Sequence, residues 1–62
     1  MLTIEKVCNG CYKAWYNGIC VSIIERNGKQ YDLFAHGTWS DKAFRTIADW
    51  KNFLFFSYGK EV

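Results

Sequence analysis

Three thiols and one imidazole are the most reactive groups in this chain: Cys8, Cys11, Cys20 and His36. Cys8-Asn9-Gly10-Cys11 is a Cys-x-x-Cys pair, half of many zinc sites, because two thiolates at that spacing can reach one tetrahedral ion. Cys20 and His36 would complete the four ligands. The same pair has the spacing of a redox dithiol. Thioredoxin-type chemistry, however, lowers one thiol's pKa at a helix N-terminus, and the residues around this pair promise no helix. His36, Ser40 and Asp41 include the residue types of general acid-base chemistry. A triad is defined by geometry, though, and a Ser-Asp step is better explained as a helix start. The chain has no glycine-rich phosphate loop and no constellation of paired carboxylates.

Which of these groups can meet depends on the elements that carry them. Asn-Gly occurs at Asn9-Gly10, Asn17-Gly18 and Asn27-Gly28. This dipeptide favours the type I′ turn, whose twist matches that of paired strands. Strand-forming residues fill the intervals, over residues 3–8, 11–16, 19–26 and 29–36. The pattern predicts a four-stranded antiparallel meander.

If each turn has a two-residue loop, Cys8 opposes Cys11, Tyr16 opposes Ile19 and Arg26 opposes Lys29. Counting outward places Tyr12, Ala14, Tyr16, Val21, Ile23, Phe34 and His36 on one face. The other face receives Leu2, Ile4, Lys6, Lys13, Trp15, Ser22, Ile24, Tyr31, Leu33 and all three cysteines. Cys20 then pairs with Trp15, four residues from Cys11, or about 13 Å at strand rise. A zinc–thiolate bond is about 2.3 Å long, and His36 points the other way, so the expected register does not build the metal site. It leaves Cys8, Cys11, Cys20 and His36 as an alternative that only another register would serve.

The second half predicts a helix over residues 41–56, with Ser40 as N-cap, Asp41 in the first turn, and Trp39 and Phe44 as a hydrophobic staple. The aromatics of residues 53–58 suit a further strand equally well, and Gly59 is placed to end the helix. The expected fold is therefore α+β: a four-stranded meander with one C-terminal helix packed on one face. Ala14, Val21 and Phe34 make the first face the expected seat of the helix. Lysines are rarely buried, so the face carrying Lys6 and Lys13 is expected to stay open.

Length and composition limit what such a domain can do. Sixty-two residues form one domain with little room for a pocket. Half of them are apolar and none is proline, which places the chain among folded proteins. No apolar run approaches the ~20 residues of a membrane span, and the first residues lack a signal-peptide core, so the chain reads as cytoplasmic. The formal net charge of +2 spreads over eight basic and six acidic residues without a like-charged run. No cofactor and no catalysis are expected. Twelve aromatics exceed what one small core encloses, so the expected function is protein binding through Trp15, Lys13, Lys6, Ile24, Tyr31 and Leu33. A homodimer would use the same surface. Single-stranded nucleic acid stacking on the sheet aromatics is the runner-up, and a small zinc domain built on Cys8, Cys11 and Cys20 follows it. In size and in lacking an active site, the chain resembles the small non-enzymatic α+β proteins that mobile genetic elements encode to block a host complex. That resemblance implies an anti-defence or anti-CRISPR type of inhibitor acting by steric occlusion.

Overall fold

The computed structural model describes residues 1–60. Five strands come first: β1 (Leu2–Cys8), β2 (Cys11–Tyr16), β3 (Ile19–Asn27), β4 (Gln30–Ala35) and β5 (Thr38–Phe44). One helix, α1 (Ile47–Tyr58), follows. The strands form a single antiparallel sheet in the order β1-β2-β3-β4-β5. The α+β meander is as expected, but it has five strands where four were expected.

The fifth strand occupies residues assigned from sequence to the start of the helix. Its cause is a fourth hairpin turn at His36-Gly37, where both residues take positive φ (55° and 79°), as a type I′ turn requires. Histidine is among the side chains enriched in that region. Ala35 pairs with Thr38 across the turn, and the ladder runs on to Tyr31 opposite Phe44. Midway, Ser40, Asp41 and Lys42 stand opposite Leu33 alone, because Asp32 pairs with Ala43 and Phe34 with Trp39. Ser40 serves there, and not at a helix end: its hydroxyl accepts the Lys42 N–H at 3.1 Å, a local bond that occupies one donor where the ladder is interrupted.

The helix starts at Thr46, whose hydroxyl accepts the Asp49 N–H at 3.1 Å. Thr46-Ile47-Ala48-Asp49 thus has the spacing of a Ser/Thr-x-x-acid start, with Asp49 favourable toward the helix dipole. The aromatics of residues 53–58 are helical, and the chain leaves the helix at Gly59, whose φ is 83°. Thr46→Ala should remove the cap and cost about 1 kcal/mol. Thermal melts of the two proteins check this, and an unmoved midpoint would mean that packing alone holds the helix start.

The helix covers the face opposite to the expected one. Leu2, Ala14, Ile24, Leu33 and Phe44 from the sheet pack with Trp50 and Leu54 from α1, all at most 6% exposed. The reason is a pair of β-bulges flanking β2. Lys6 pairs with Tyr12 and Cys8 with Cys11, so Val7 is the extra residue on β1. Ala14 pairs with Ser22 and Trp15 with Cys20, so Val21 is the extra residue on β3. Each insertion reverses the facing of β2 against its neighbour. Tyr12, Ala14 and Tyr16 therefore share a face with Ile4, Ile24 and Leu33, while Lys13 and Trp15 turn outward. The energetics agree, since this register buries Ala14 and keeps the Lys13 ammonium away from the core. Ser22 is the one buried polar side chain among the described residues, and it accepts the Trp50 Nε1–H at 3.0 Å.

Candidate functional site

The bulges split the residues first grouped as a contact surface. Ile24 is fully buried and Leu33 is 3% exposed beneath the helix, so neither can meet a partner in this fold. Tyr31 packs against the same core, and Lys6 shares that face at the edge of the sheet opposite Tyr12. Trp15 and Lys13 alone of the six point to the uncovered face. Lys6 and Lys13 thus lie on opposite sides of the sheet.

The uncovered face has its own constellation. Lys13, Ile23, Phe34 and Trp39 stand side by side on four successive strands, from β2 to β5. Phe34 and Trp39 meet edge to face with ring centroids 5.2 Å apart, and Trp39 remains 54% exposed. The next row places Trp15 beside Cys20. The indole of Trp15 donates from Nε1 to Glu5 Oε1 at 3.1 Å, which fixes its ring against β1. On the other side of the apolar row, Cys11, Glu25, Asp32 and Ala43 form a third row. Asp32 accepts from Asn27 Nδ2 at 2.9 Å and from Gln30 Nε2 at 3.1 Å. Around the aromatics the face carries Glu5, Glu25 and Asp32 against one lysine, an acidic balance on a mildly basic protein.

Ile23, Phe34 and Trp39 escaped the sequence reading for two reasons. Ile23 and Phe34 belong to the face expected under the helix, and Trp39 was assigned to a helix staple. A signal was present, however. Glycines with positive φ occur at 10, 18, 28 and 37, so the turn period continues through His36-Gly37 and predicts one more strand carrying Trp39.

All three cysteines are free thiols, with Cys8 and Cys20 exposed and Cys11 half-buried. Burial pushes the Cys11 thiol up, with the neighbouring Cys8 and Glu25 adding to the shift and Lys13 opposing it. Cys20 contacts the Ser22 carbonyl through its sulfur at 3.8 Å, and His36 sits in the β4–β5 turn. Among the described residues no group of three or more His, Cys, Asp or Glu side chains is placed to hold a metal ion. No described helix is long and apolar enough to cross a membrane.

A cleft of about 300 Å³ runs between the C-terminal half of α1 and strands β3 to β5. Leu33, Ala35, His36, Lys42, Phe53 and Leu54 are among the residues that line it. The Lys42 ammonium lies 5.3 Å from the Phe53 ring and 5.6 Å from the Phe44 ring, so aromatic faces already engage its charge. The cleft is at the small end of ligand pockets. Against known proteins the chain matches no protein-family model, no curated protein and no solved structure.

Proposed function

We propose that this chain is a cytoplasmic, non-enzymatic protein-binding module that docks through its uncovered sheet face. The observation that carries this reading is the row of Ile23, Phe34 and Trp39 beside Trp15, left open on a sheet whose other face packs against a helix. Aromatic side chains held rigid by the sheet lose little entropy on binding, and tryptophans dominate interface energetics. Charge favours a protein over nucleic acid as the partner. Three carboxylates against Lys13 would repel a phosphate backbone, whereas single-strand binders line their stacking platforms with cations. A partner with an apolar patch and a basic rim complements this face. A domain of this size acts by covering a surface, and we take occlusion of a host complex by a protein from a mobile element as its specific form.

The test uses the immobilised protein, its Trp39→Ala and Trp15→Ala variants, and lysate treated with nuclease. A protein captured by the wild type should dissociate about 10–30-fold faster from Trp39→Ala, while the melting temperature hardly moves. Dissociation from both folded variants at the wild-type rate would refute this site. Capture that vanishes with nuclease would instead reinstate nucleic acid.

A further inference from the structure

Among the described residues the fold sets two thiols against each other outside the aromatic row. Cys8 and Cys11 face each other across the β1–β2 turn as a direct register pair. Opposed residues in an antiparallel ladder have Cα atoms about 4.5 or 5.5 Å apart, depending on the hydrogen-bond pattern. Both separations fall within the disulfide window of about 4.4–6.8 Å. The Val7 bulge is what keeps this pair in register while the rest of β2 turns over. Gly10 holds the turn against β3, where the Arg26 N–H donates to the Gly10 carbonyl at 2.7 Å.

From this geometry we infer that Cys8 and Cys11 form a redox-active dithiol that takes low-molecular-weight disulfides of the glutathione type as its oxidant. The exposed Cys8 sulfur, as thiolate, attacks the oxidant; a mixed disulfide forms at Cys8 and one reduced thiol leaves. The Cys11 thiolate then attacks the Cys8 sulfur and expels the second reduced thiol. In sum two protein thiols and one disulfide become one protein disulfide and two small thiols, with the two thiol protons passing to the leaving sulfurs. The order of events follows from exposure. Cys8 is open to solvent and Cys11 is half-buried. The first step also relieves Cys11, because Cys8 is one of the groups that raises its thiol pKa. The titratable groups acting on that thiol are Cys8 on β1 and Glu25 on β3, which raise its pKa, and Lys13 on its own strand, which lowers it. In a reducing compartment such a pair rests as the dithiol and closes under oxidative load, the usual behaviour of cytosolic disulfides.

Cleavage after Lys6, Lys13 and Arg26 reads the outcome directly, because one peptide holds both Cys8 and Cys11 and the next holds Cys20. The full chain is equilibrated anaerobically in oxidised and reduced glutathione, then acid-quenched and alkylated. The 7–13 peptide should lose both alkylatable thiols and two hydrogens, while the 14–26 peptide carries only glutathione or an alkyl group on Cys20. In Cys11→Ser the reaction should stop at the mixed disulfide on Cys8. The proposal is overturned if the wild-type 7–13 peptide stays fully alkylatable even with oxidised glutathione in large excess over reduced. It is equally overturned if that peptide accumulates two glutathione adducts. Both readings come from the unmodified chain, so they hold even where a variant folds poorly.

Discussion

Trp50→Ala should cost about 3–5 kcal/mol, enough to leave much of the protein unfolded at room temperature. Trp50 is the largest side chain with no exposed surface, and truncating a buried tryptophan in a close-packed core leaves a cavity that its neighbours only partly fill. Its ring also meets Tyr12 at 6.4 Å between centroids, tying the first turn of α1 to β2. A 62-residue domain has a total stability of roughly 3–9 kcal/mol at the usual value per residue, so a loss of this size decides between folded and unfolded. A denaturant midpoint close to that of the wild type would contradict the placement of α1 on this face. A double-mutant cycle separates the cavity from the hydrogen bond. Trp50→Phe keeps most of the apolar volume and orphans the Ser22 hydroxyl, whereas Ser22→Ala orphans the indole N–H. Each single change leaves a buried polar group without its partner, at about 1–3 kcal/mol. The double change leaves neither, so its cost should fall short of the sum by about 1 kcal/mol or more. Additive costs would mean that water satisfies both groups.

The extent to which the fold is legible from sequence depends on the kind of signal each part carries. Turn chemistry is local: three Asn-Gly steps mark three hairpins, and Cys8–Cys11, Trp15–Cys20 and Tyr16–Ile19 pair as expected. The third loop slips by one residue to Gly28-Lys29, so Arg26 opposes Tyr31 and not Lys29. Facing is not local. It is the running sum of every residue inserted along a strand, and the Val7 and Val21 bulges leave no composition signal because valine suits a strand in any register. The two insertions cancel between β1 and β3, so those strands keep their expected mutual facing while β2 alone is inverted. For this reason Leu2, Ile24 and Leu33 were grouped correctly with one another yet assigned to the open side. The energetic cue in Lys13 and Ala14 faced β2 correctly, since a helix approaches alanine and avoids lysine, but in the expected register it carried Val21 and Phe34 to the covered side with Ala14. The late start of the helix has a different cause. Ser40-Asp41 and Thr46-x-x-Asp49 are both capping signals, and the choice between them is made by β5 pairing with β4, a long-range contact that local propensity does not contain. The open-face aromatics inherit both errors, which is why Trp15 and Lys13 were found and Ile23, Phe34 and Trp39 were not.

Gly10 and Gly28 each follow an asparagine, Gly10 as the second residue of its loop and Gly28 as the first, and substituting them should separate backbone strain from crowding. Both have positive φ, 80° and 66°, where a Cβ costs about 1–2 kcal/mol. At Gly28 nothing lies within 4 Å of an added Cβ. The lower entropy of the unfolded chain returns about 0.4–1 kcal/mol, so Gly28→Ala should cost only about 1 kcal/mol. At Gly10 the added Cβ would sit 2.8 Å from the Arg26 Cβ. That atom is anchored to the β3 backbone and cannot swing aside like the end of a long side chain. The turn cannot retreat either without stretching the 2.7 Å bond from the Arg26 N–H to the Gly10 carbonyl. Overpacking therefore adds about 1–3 kcal/mol to the strain, and Gly10→Ala should cost about 2–4 kcal/mol. Urea midpoints measured side by side decide the matter, and equal losses at the two sites would show that φ alone sets the cost. The contrast reaches the chemistry of the hairpin, because any shift that relieves the Gly10 clash moves Cys11 relative to Cys8. Gly10→Ala should thus also slow closure of the disulfide. Gly28→Ala, at the β3–β4 turn on the same end of the sheet, meets nothing within 4 Å and should slow it less.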